Sequence, residues 1–284
     1  MPDIRDHNRR AWDQQVADGN RWTVPVNRQA VQAAREGRVA IYLTPARPVP
    51  ADWLGDLAGR RVLGLASGGG QQGPLLAAAG ADVTVLDNSP AQLARDREVA
   101  RREKLEIRTV ESDMRDLPFD DGQFDLIVHP VSNTFVPDVR PVWREAARVL
   151  RSGGSLLSGF DNPVVHIFDE QAVARGKLYV AHPLPWSSVP GLTAAERQQH
   201  FEAGRPLEFG HTLTDLIGGQ LEEGLVIVGF YEDRYPPEDN DLLSRYLSTF
   251  MATWAVKRSL GGGRCSAGRS AENERACGDG RDPA

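Results

Sequence analysis

The stretch Arg61-Val-Leu-Gly-Leu-Ala-Ser-Gly-Gly-Gly-Gln-Gln-Gly73 decides the fold of this chain. The apolar run at 62–65 predicts a strand that is buried on both faces. Glycines follow this run directly, and a helical pattern begins near residue 72. Because glycine has no Cβ, a strand that turns through glycines into a helix brings bare backbone close to a ligand. The stretch therefore predicts a ligand-binding turn.

A carboxylate stands at the end of the next predicted strand. The run Val83-Thr-Val-Leu86 is apolar and is followed directly by Asp87. A carboxylate at the tip of the second strand commonly accepts hydrogen bonds from the two hydroxyls of a ribose. The two strands together predict a cofactor that contains a nucleoside.

Composition narrows the class of protein. The chain has 284 residues, 40% of them hydrophobic and 25% charged, which is enough for a full core and ordinary for a globular protein. No apolar run reaches the ~20 residues that cross a bilayer, and the first residues lack the apolar core of a signal peptide. The net charge of −6 argues against a nucleic-acid partner. We expect a cytoplasmic enzyme, monomeric or homodimeric, without a membrane or nucleic-acid partner.

From residue 61 onwards, predicted strands alternate with predicted helices, as in a parallel sheet that is covered on both faces. The pattern predicts an α/β fold with a doubly wound, seven-stranded, mostly parallel sheet and an antiparallel last strand. Glycines at 153 and 154 are predicted to end the helix that closes at Leu150. The predicted strands are 61–66, 82–87, 107–112, 124–129, 155–160, 225–231 and 249–256.

Three segments lie outside this alternation. Residues 1–58 predict a helical N-terminal extension that folds as a lid over the cofactor, with plain packing against the sheet as the alternative. The main domain at 59–257 contains an irregular insertion at 161–212, whose length predicts a substrate cap with a possible hairpin at 177–182. The polar, glycine-rich tail at 258–284 is predicted to be disordered.

The identity of the cofactor is the main question. Gly68-x-Gly70-x-x-Gly73 matches the dinucleotide fingerprint, although such a match is weak by itself. Asp113 and Met114 at the end of the third strand favour S-adenosylmethionine, because a carboxylate accepts the adenine amino group and an apolar side chain covers the ring. An NAD(P)-dependent oxidoreductase and a non-catalytic cofactor-binding protein remain as alternatives.

The chain resembles the class I S-adenosylmethionine-dependent methyltransferases over residues 60–160. In particular, it resembles a bacterial branch with a Gly-Gly-Gly-Gln-Gln loop and a His-Pro-Val-Ser-Asn run after the fourth strand. It departs from the family at Gly64, where an acidic residue is usual, and at Ala66, where the first loop glycine is usual. The resemblance is carried by Val62-Leu-Gly-Leu-Ala-Ser-Gly-Gly-Gly70, Asp87, Glu111-Ser-Asp113-Met114, Phe124-Asp125 and the segment Trp143-Arg-Glu-Ala-Ala-Arg-Val-Leu-Arg-Ser-Gly-Gly154.

The resemblance implies methyl transfer to an oxygen, nitrogen or carbon atom of a small-molecule acceptor, such as a natural product. His129 and His211 are the predicted bases for an acceptor that is still protonated at neutral pH. No histidine–carboxylate cluster has metal-ligand spacing, so no metal is predicted. The predicted cofactor-binding residues are Ala66, Ser67, Gly68, Gly69, Gly70, Gln72, Asp87, Asn88, Asp113, Met114 and His129. The predicted substrate-binding residues are Trp22, Asn133, Asp161 and His211.

Overall fold

The seven-stranded sheet expected from the sequence is confirmed in the computed structural model, which describes residues 4–189 and 205–258. The strands in these ranges are β1 (Arg61–Leu65), β2 (Asp82–Asp87), β3 (Ile107–Glu111), β4 (Phe124–His129), β5 (Leu150–Asp161), β6 (Trp186–Ser187), β7 (Phe209–Gly210), β8 (Leu225–Asp233) and β9 (Phe250–Lys257). The strands of the large sheet run in the order β3-β2-β1-β4-β5-β9-β8, and β6 pairs with β7 in a small second sheet.

Helices cover both faces of the large sheet. A π-helical turn at Thr214–Gly218 leads into the last described helix. Short 3₁₀ turns occur in the N-terminal extension, after β4, in the cap and between β8 and β9, at Arg21–Thr23, Asn133–Phe135, Pro163–Ile167, Pro237–Asp239 and Leu243–Arg245. The α-helices in the described ranges are α1 (Ile4–Ala17), α2 (Arg28–Arg35), α3 (Ala51–Leu54), α4 (Gln72–Ala78), α5 (Pro90–Glu103), α6 (Arg140–Val149), α7 (Glu170–Ala174) and α8 (Gly219–Glu222).

The order of the strands places the ligand-binding edge. Strands β1 to β5 pair in parallel, whereas β9 is antiparallel to both β5 and β8. The chain proceeds from β1 through β2 to β3, and then returns to the other side of β1 with β4. Ligands of open α/β sheets bind outside the carboxyl ends of the strands at such a reversal.

Two hydrophobic clusters form the core, one on each face of the sheet. In β1, Val62 belongs to one cluster and Leu63 to the other, so this strand is buried on both faces as predicted. The N-terminal extension supplies Ile41, Leu43 and Trp53 to the first cluster. The extension is therefore part of the core, and these three residues pack against the sheet.

The predicted glycine cap after α6 was wrong. The helix α6 ends at Val149, and Leu150 already has extended dihedral angles (φ −72°, ψ 136°), so no glycine cap forms. The register of β4 and β5 instead shifts between Phe124 and Leu126, and Gly153 adopts φ +73° inside the irregular part of β5. These glycines serve a bulge in the strand.

The predicted hairpin at 177–182 is replaced by a single bridge between Phe168 and Val180. The cap pairs β6 with β7, at Ser187 and Phe209. Part of the cap, 190–204, and the tail that was predicted to be disordered, from 259 onwards, lie outside the described residues. Across the described ranges, no helix is long and apolar enough to span a membrane.

Candidate active site

A large cavity with a volume of about 1630 Å³ lies at the carboxyl edge of the sheet. Its wall combines the turn after β1, the ends of β2 and β3, the N-terminal extension and the cap. The fold thus brings together most of the predicted site residues. Those on the wall are Trp22, Ala66, Ser67, Gly68, Gln72, Asp87, Asn88, Asp113, Met114 and Asp161.

The glycine turn directs its N–H groups into the protein. The three N–H groups of residues 68–70 donate, in order, to Asp87 Oδ2, to the Gln92 carbonyl oxygen and to Asp96 Oδ2, at 3.0, 3.0 and 3.1 Å. A dinucleotide pyrophosphate is held by free loop N–H groups at the start of a helix. Because these three donors are already satisfied, the turn does not fit the pyrophosphate of the NAD(P) alternative.

Gly69 and Gly70 were predicted to contact the cofactor, and the structure places them elsewhere. They adopt φ +102° and +70° and are absent from the cavity wall. A Cβ at Gly70 would lie 2.9 Å from the Arg95 carbonyl oxygen of α5, and one at Gly69 would lie 3.0 Å from the Trp22 carbonyl oxygen. Glycine is required here because α5 and the N-terminal extension pack against the turn from outside the cavity.

The N-terminal extension is bonded to this turn. Gln71 Nε2 donates to the carbonyl oxygens of Arg21 and Val24, both at 3.1 Å, and the Val26 N–H donates to the Gly70 carbonyl oxygen at 3.0 Å. The extension also contributes aromatic and polar side chains to the cavity wall. The extension therefore covers the turn, and its apolar residues belong to the core.

Asp87 is well placed to accept hydroxyl groups. Its Oδ2 accepts from Gly68 and its Oδ1 accepts from the Ser89 N–H, both at 3.0 Å, and the Asn88 N–H acts on it as a further backbone donor. The carboxylate lies on the cavity wall and keeps acceptor capacity for a ligand. Burial raises the pKa of Asp87 to about 6, and the backbone donors of Ser89 and Gly68 limit this rise. The side chain is therefore a carboxylate at neutral pH.

Asp113 also lies on the wall, but its carboxylate is already paired. Arg115 donates to Oδ1 through Nε at 3.0 Å and to Oδ2 through Nη2 at 2.7 Å, and Arg5 lies 3.9 Å away. Burial acts to raise the pKa of Asp113, and the hydrogen bonds from Arg115 outweigh it and hold that pKa below its ordinary value. An adenine amino group would be an additional donor to this paired carboxylate.

His129 does not reach the cavity. Its ring is fully buried, with Nδ1 2.8 Å from the Leu65 carbonyl oxygen and Nε2 2.7 Å from the Asn133 side chain. Burial lowers its pKa, so the ring is neutral at physiological pH. The predicted roles of base and cofactor ligand are therefore corrected: His129 connects β1, β4 and the following turn.

His211 and Asn133 are also turned away from the cavity. His211 is buried, and its Nε2 lies 3.0 Å from the Asn133 carbonyl oxygen. Together with Leu216, His211 and Asn133 line a separate small cavity of about 10 Å³. Burial lowers the pKa of His211. Neither residue faces an acceptor, and the predictions for both are corrected to structural roles.

The cap brings His166 and Glu208 to the cavity wall, and the sequence analysis missed both. The His166 ring stacks on Trp186, an aromatic residue that was a candidate wall of the acceptor pocket, with ring centres 5.1 Å apart and planes 16° apart. Its Nε2 lies 3.7 Å from Asp161 Oδ2. Tyr235, which follows β8, shares this wall. The cap has no periodic pattern, so no sequence signal indicated His166 or Glu208.

Glu208 has an unusual environment. Its side chain is solvent-exposed and lies on the cavity wall, and the protein packed around the carboxyl group partly desolvates it. Burial, assisted by the negative charge of Asp161, raises the pKa of Glu208 to about 7, and His166 acts in the opposite direction. Among the described residues, no three His, Cys, Asp or Glu side chains are grouped so that they hold a metal ion.

The sheet order, the cavity and the carboxylate at the end of β2 define a Rossmann-like enzyme of the class I methyltransferase type. A family model described as a methyltransferase domain matches residues 63–158. The uncharacterised methyltransferase YbaJ of Bacillus subtilis is 49% identical over 252 residues, which cover 88% of this chain and 97% of that protein. This chain belongs to the S-adenosylmethionine-dependent methyltransferases, and S-adenosylmethionine is its cofactor.

Solved structures share the fold. An S-adenosylmethionine-dependent methyltransferase from Mesorhizobium loti has a TM-score of 0.57 at 19% identity, covering 72% of this chain and 94% of that chain. Geranyl diphosphate C-methyltransferase from Streptomyces coelicolor, solved with Mg²⁺, geranyl diphosphate and S-adenosyl-L-homocysteine, has a TM-score of 0.54 at 17% identity. It covers 91% of this chain and 99% of its own length, so its likeness extends beyond the matched domain to the overall architecture.

Proposed function

We propose that this methyltransferase acts on a small molecule that binds at the cap end of the cavity. The observation that carries this proposal is the continuity of the cavity, which has Asp87 and Gly68 at one end and Asp161, His166 and Glu208 at the other. A cavity of about 1630 Å³ has room for a cofactor and a second ligand of similar size. The product would be a small molecule methylated at oxygen, nitrogen or carbon.

The cofactor end fits S-adenosylmethionine. Asp87 lies on the wall as an acceptor for the ribose hydroxyls, and Met114 lies on the wall where it would cover the adenine ring. Ala66, Ser67 and Gly68 face the cavity and would hold the methionine part, with Gly68 leaving room beside Asp87. When bound, the cofactor supplies an electrophilic methyl group on a sulfonium sulfur.

The acceptor end favours a neutral or cationic molecule. Trp186, stacked on His166, presents an aromatic surface, and Asp161 and Glu208 add acidic groups. Among the described residues, neither Asp161 nor Glu208 forms an ion pair with an arginine or lysine, although the charge of Arg205 acts on Glu208 from a greater distance. The negative charge of Asp161 and Glu208 disfavours a diphosphate acceptor such as the one named for the Streptomyces coelicolor enzyme. An amine is the acceptor that the acidic wall suits best.

The side chains at the acceptor end also have chemistry to offer. Glu208, with its pKa raised to about 7, would take the proton that an acceptor N–H or O–H loses as it attacks. The stacked His166 ring and Asp161 would orient the acceptor. Correct positioning of two bound reactants contributes about 7–11 kcal/mol to catalysis, so the walls of the cavity are a main catalytic device.

Binding and turnover test this proposal in turn. Thermal unfolding should occur at higher temperature with S-adenosylmethionine or S-adenosylhomocysteine and be unchanged with NADH, since a ligand stabilises the folded state that binds it. S-adenosylhomocysteine release should then be followed with a panel of amines, phenols and other natural-product fragments. Asp87→Ala serves as the control that removes cofactor-dependent release. Protection by NADH alone would refute the proposal, and binding without turnover of any acceptor would favour a non-catalytic protein.

A further inference from the structure

Asp96 is a buried acid that touches the glycine turn from behind. It lies on α5 and its exposed fraction is 0%. Its Oδ2 accepts the hydrogen bond from the Gly70 N–H at 3.1 Å, and its Oδ1 has no hydrogen-bond partner among the described residues. A buried carboxyl group with one unsatisfied oxygen lowers the stability of the folded state, so its presence in the core calls for an explanation.

The packing of α5 makes the position of the turn depend on this helix. A Cβ at Gly73 would lie 3.0 Å from Asp96 Oδ1, and a Cβ at Gly68 would lie 2.6 Å from Gln92 Cβ. The Gly69 N–H donates to the Gln92 carbonyl oxygen. The turn therefore rests on one face of α5, and Asp96 supplies the side-chain hydrogen bond at its far end.

Burial and the nearby carboxylate of Asp87 favour the neutral form of Asp96. Burial is the main cause that raises its pKa to about 8, and the carboxylate of Asp87 on β2 adds to the rise. The backbone N–H groups of Gly70 and Gly69 limit it. The neighbouring Arg95 is paired with Glu98 at 3.0 Å. As a neutral acid, Asp96 still accepts from Gly70 without placing a second negative charge beside Asp87.

We propose that Asp96 is a positioning residue for S-adenosylmethionine: by holding Gly70, it fixes the turn whose residues 66–68 face the cofactor. Residues 66–68 and Gly70 belong to one short turn, so a displacement of Gly70 moves the groups that face the cavity. The inference relies on the proposed placement of the methionine part at this turn. It does not depend on the identity of the acceptor.

Calorimetric titration with S-adenosylmethionine and with S-adenosylhomocysteine tests the inference. Asp96→Leu removes the acceptor and leaves the Gly70 N–H buried without a partner, which should weaken both affinities by about tenfold or more. Asp96→Asn keeps a side-chain oxygen and should stay within about twofold of the wild type. The melting temperature of ligand-free Asp96→Leu should change little, because the unpartnered Gly70 N–H lowers stability while removal of a poorly satisfied buried acid raises it.

Val99→Ala is the matched control, since Val99 is fully buried on the same helix but makes no contact with the turn that the structure records. It should lower the melting temperature and leave both affinities unchanged. Asp96→Ala repeats the measurement with a smaller side chain if leucine prevents folding. Unchanged cofactor affinity in a folded Leu or Ala variant would overturn the inference. Equal weakening in the Asn variant, or a loss of affinity in Val99→Ala that follows stability, would also overturn it.

Discussion

The Gly68 N–H donates to Asp87 Oδ2 at 3.0 Å, and this bond joins the turn after β1 to the end of β2. The two groups that would bind the methionine and the ribose of the cofactor are thereby held at a fixed separation. Such an arrangement reduces the ordering cost of binding, because the site is formed before the ligand arrives.

Replacement of Asp87 should therefore affect the cofactor strongly. We expect Asp87→Ala to weaken S-adenosylmethionine binding by about tenfold or more, through loss of charge-assisted hydrogen bonds that contribute about 1.5–3 kcal/mol. Calorimetry measures the change. Asp82→Ala, at the exposed start of the same strand, is the control and should bind normally. An unaltered affinity in Asp87→Ala would show that the ribose lies elsewhere.

Acidic pH should reproduce part of this loss in the wild type. Since the pKa of Asp87 is about 6 in the absence of ligand, the carboxylate becomes protonated below that pH and is a weaker acceptor. The affinity for S-adenosylhomocysteine should fall between about pH 7 and pH 5, and Asp87→Asn should remove most of this dependence. Parallel pH profiles in the two proteins would contradict the assignment.

Asp96 should make the folded protein less stable as the pH rises. Its pKa is raised from 3.8 to about 8, so the folded state holds a proton that the unfolded chain releases near pH 4. The free energy of unfolding should consequently fall between about pH 4 and pH 8. Asp96→Asn removes this contribution. Its melting temperature relative to the wild type should be higher at pH 8 than at pH 5, and a constant difference would count against the raised pKa.

Glu208 should control the pH dependence of turnover. Because a base must be deprotonated to accept a proton, kcat/KM with an amine or phenol acceptor should rise through about pH 7, the pKa of Glu208. Glu208→Gln should flatten that rise and lower the rate by about 10²-fold, within the usual range for a lost base. Glu238→Gln, at another acidic position on the cavity wall, is the control. An unchanged profile in Glu208→Gln would assign the proton to another group.

The contact between β5 and the N-terminal extension should be sensitive to a single methyl group. A Cβ at Gly159 would lie 2.2 Å from the Leu43 carbonyl oxygen, so Gly159→Ala must displace the extension or the strand. We expect a loss of about 1–3 kcal/mol in the free energy of unfolding, measured by urea denaturation. Gly218→Ala, whose nearest neighbour would be 3.7 Å away, should be tolerated. Equal stability of the two variants would show that the close contact is relieved at no cost.

Features that depend on local patterns were predictable from the sequence. The strands of the sheet appear as apolar runs, and Asp87 follows one of these runs directly, so the fold and the carboxylate at the end of β2 were expected. The glycine turn was also located correctly. The packing of the turn was not predicted, because nothing near residues 68–70 in the sequence indicates that α5 and the extension pack against them.

Burial of polar side chains was the main obstacle to predicting the site. His129 is the last residue of β4, at the edge where ligands bind, yet its two hydrogen bonds hold the ring inside the protein. His211 is engaged in the same way by Asn133. His166 and Glu208 reach the cavity from irregular segments of the cap, where residue order carries little information about direction.

The hydrogen bond from Thr44 Oγ1 to Asp233 Oδ2, at 2.7 Å, fastens the extension to the end of β8. Together with Ile41, Leu43 and Trp53 in the core, it means that a shortened protein starting at β1 would expose an apolar sheet face. Such a protein should be insoluble. Efforts to simplify this enzyme should therefore preserve the first 58 residues and trim elsewhere.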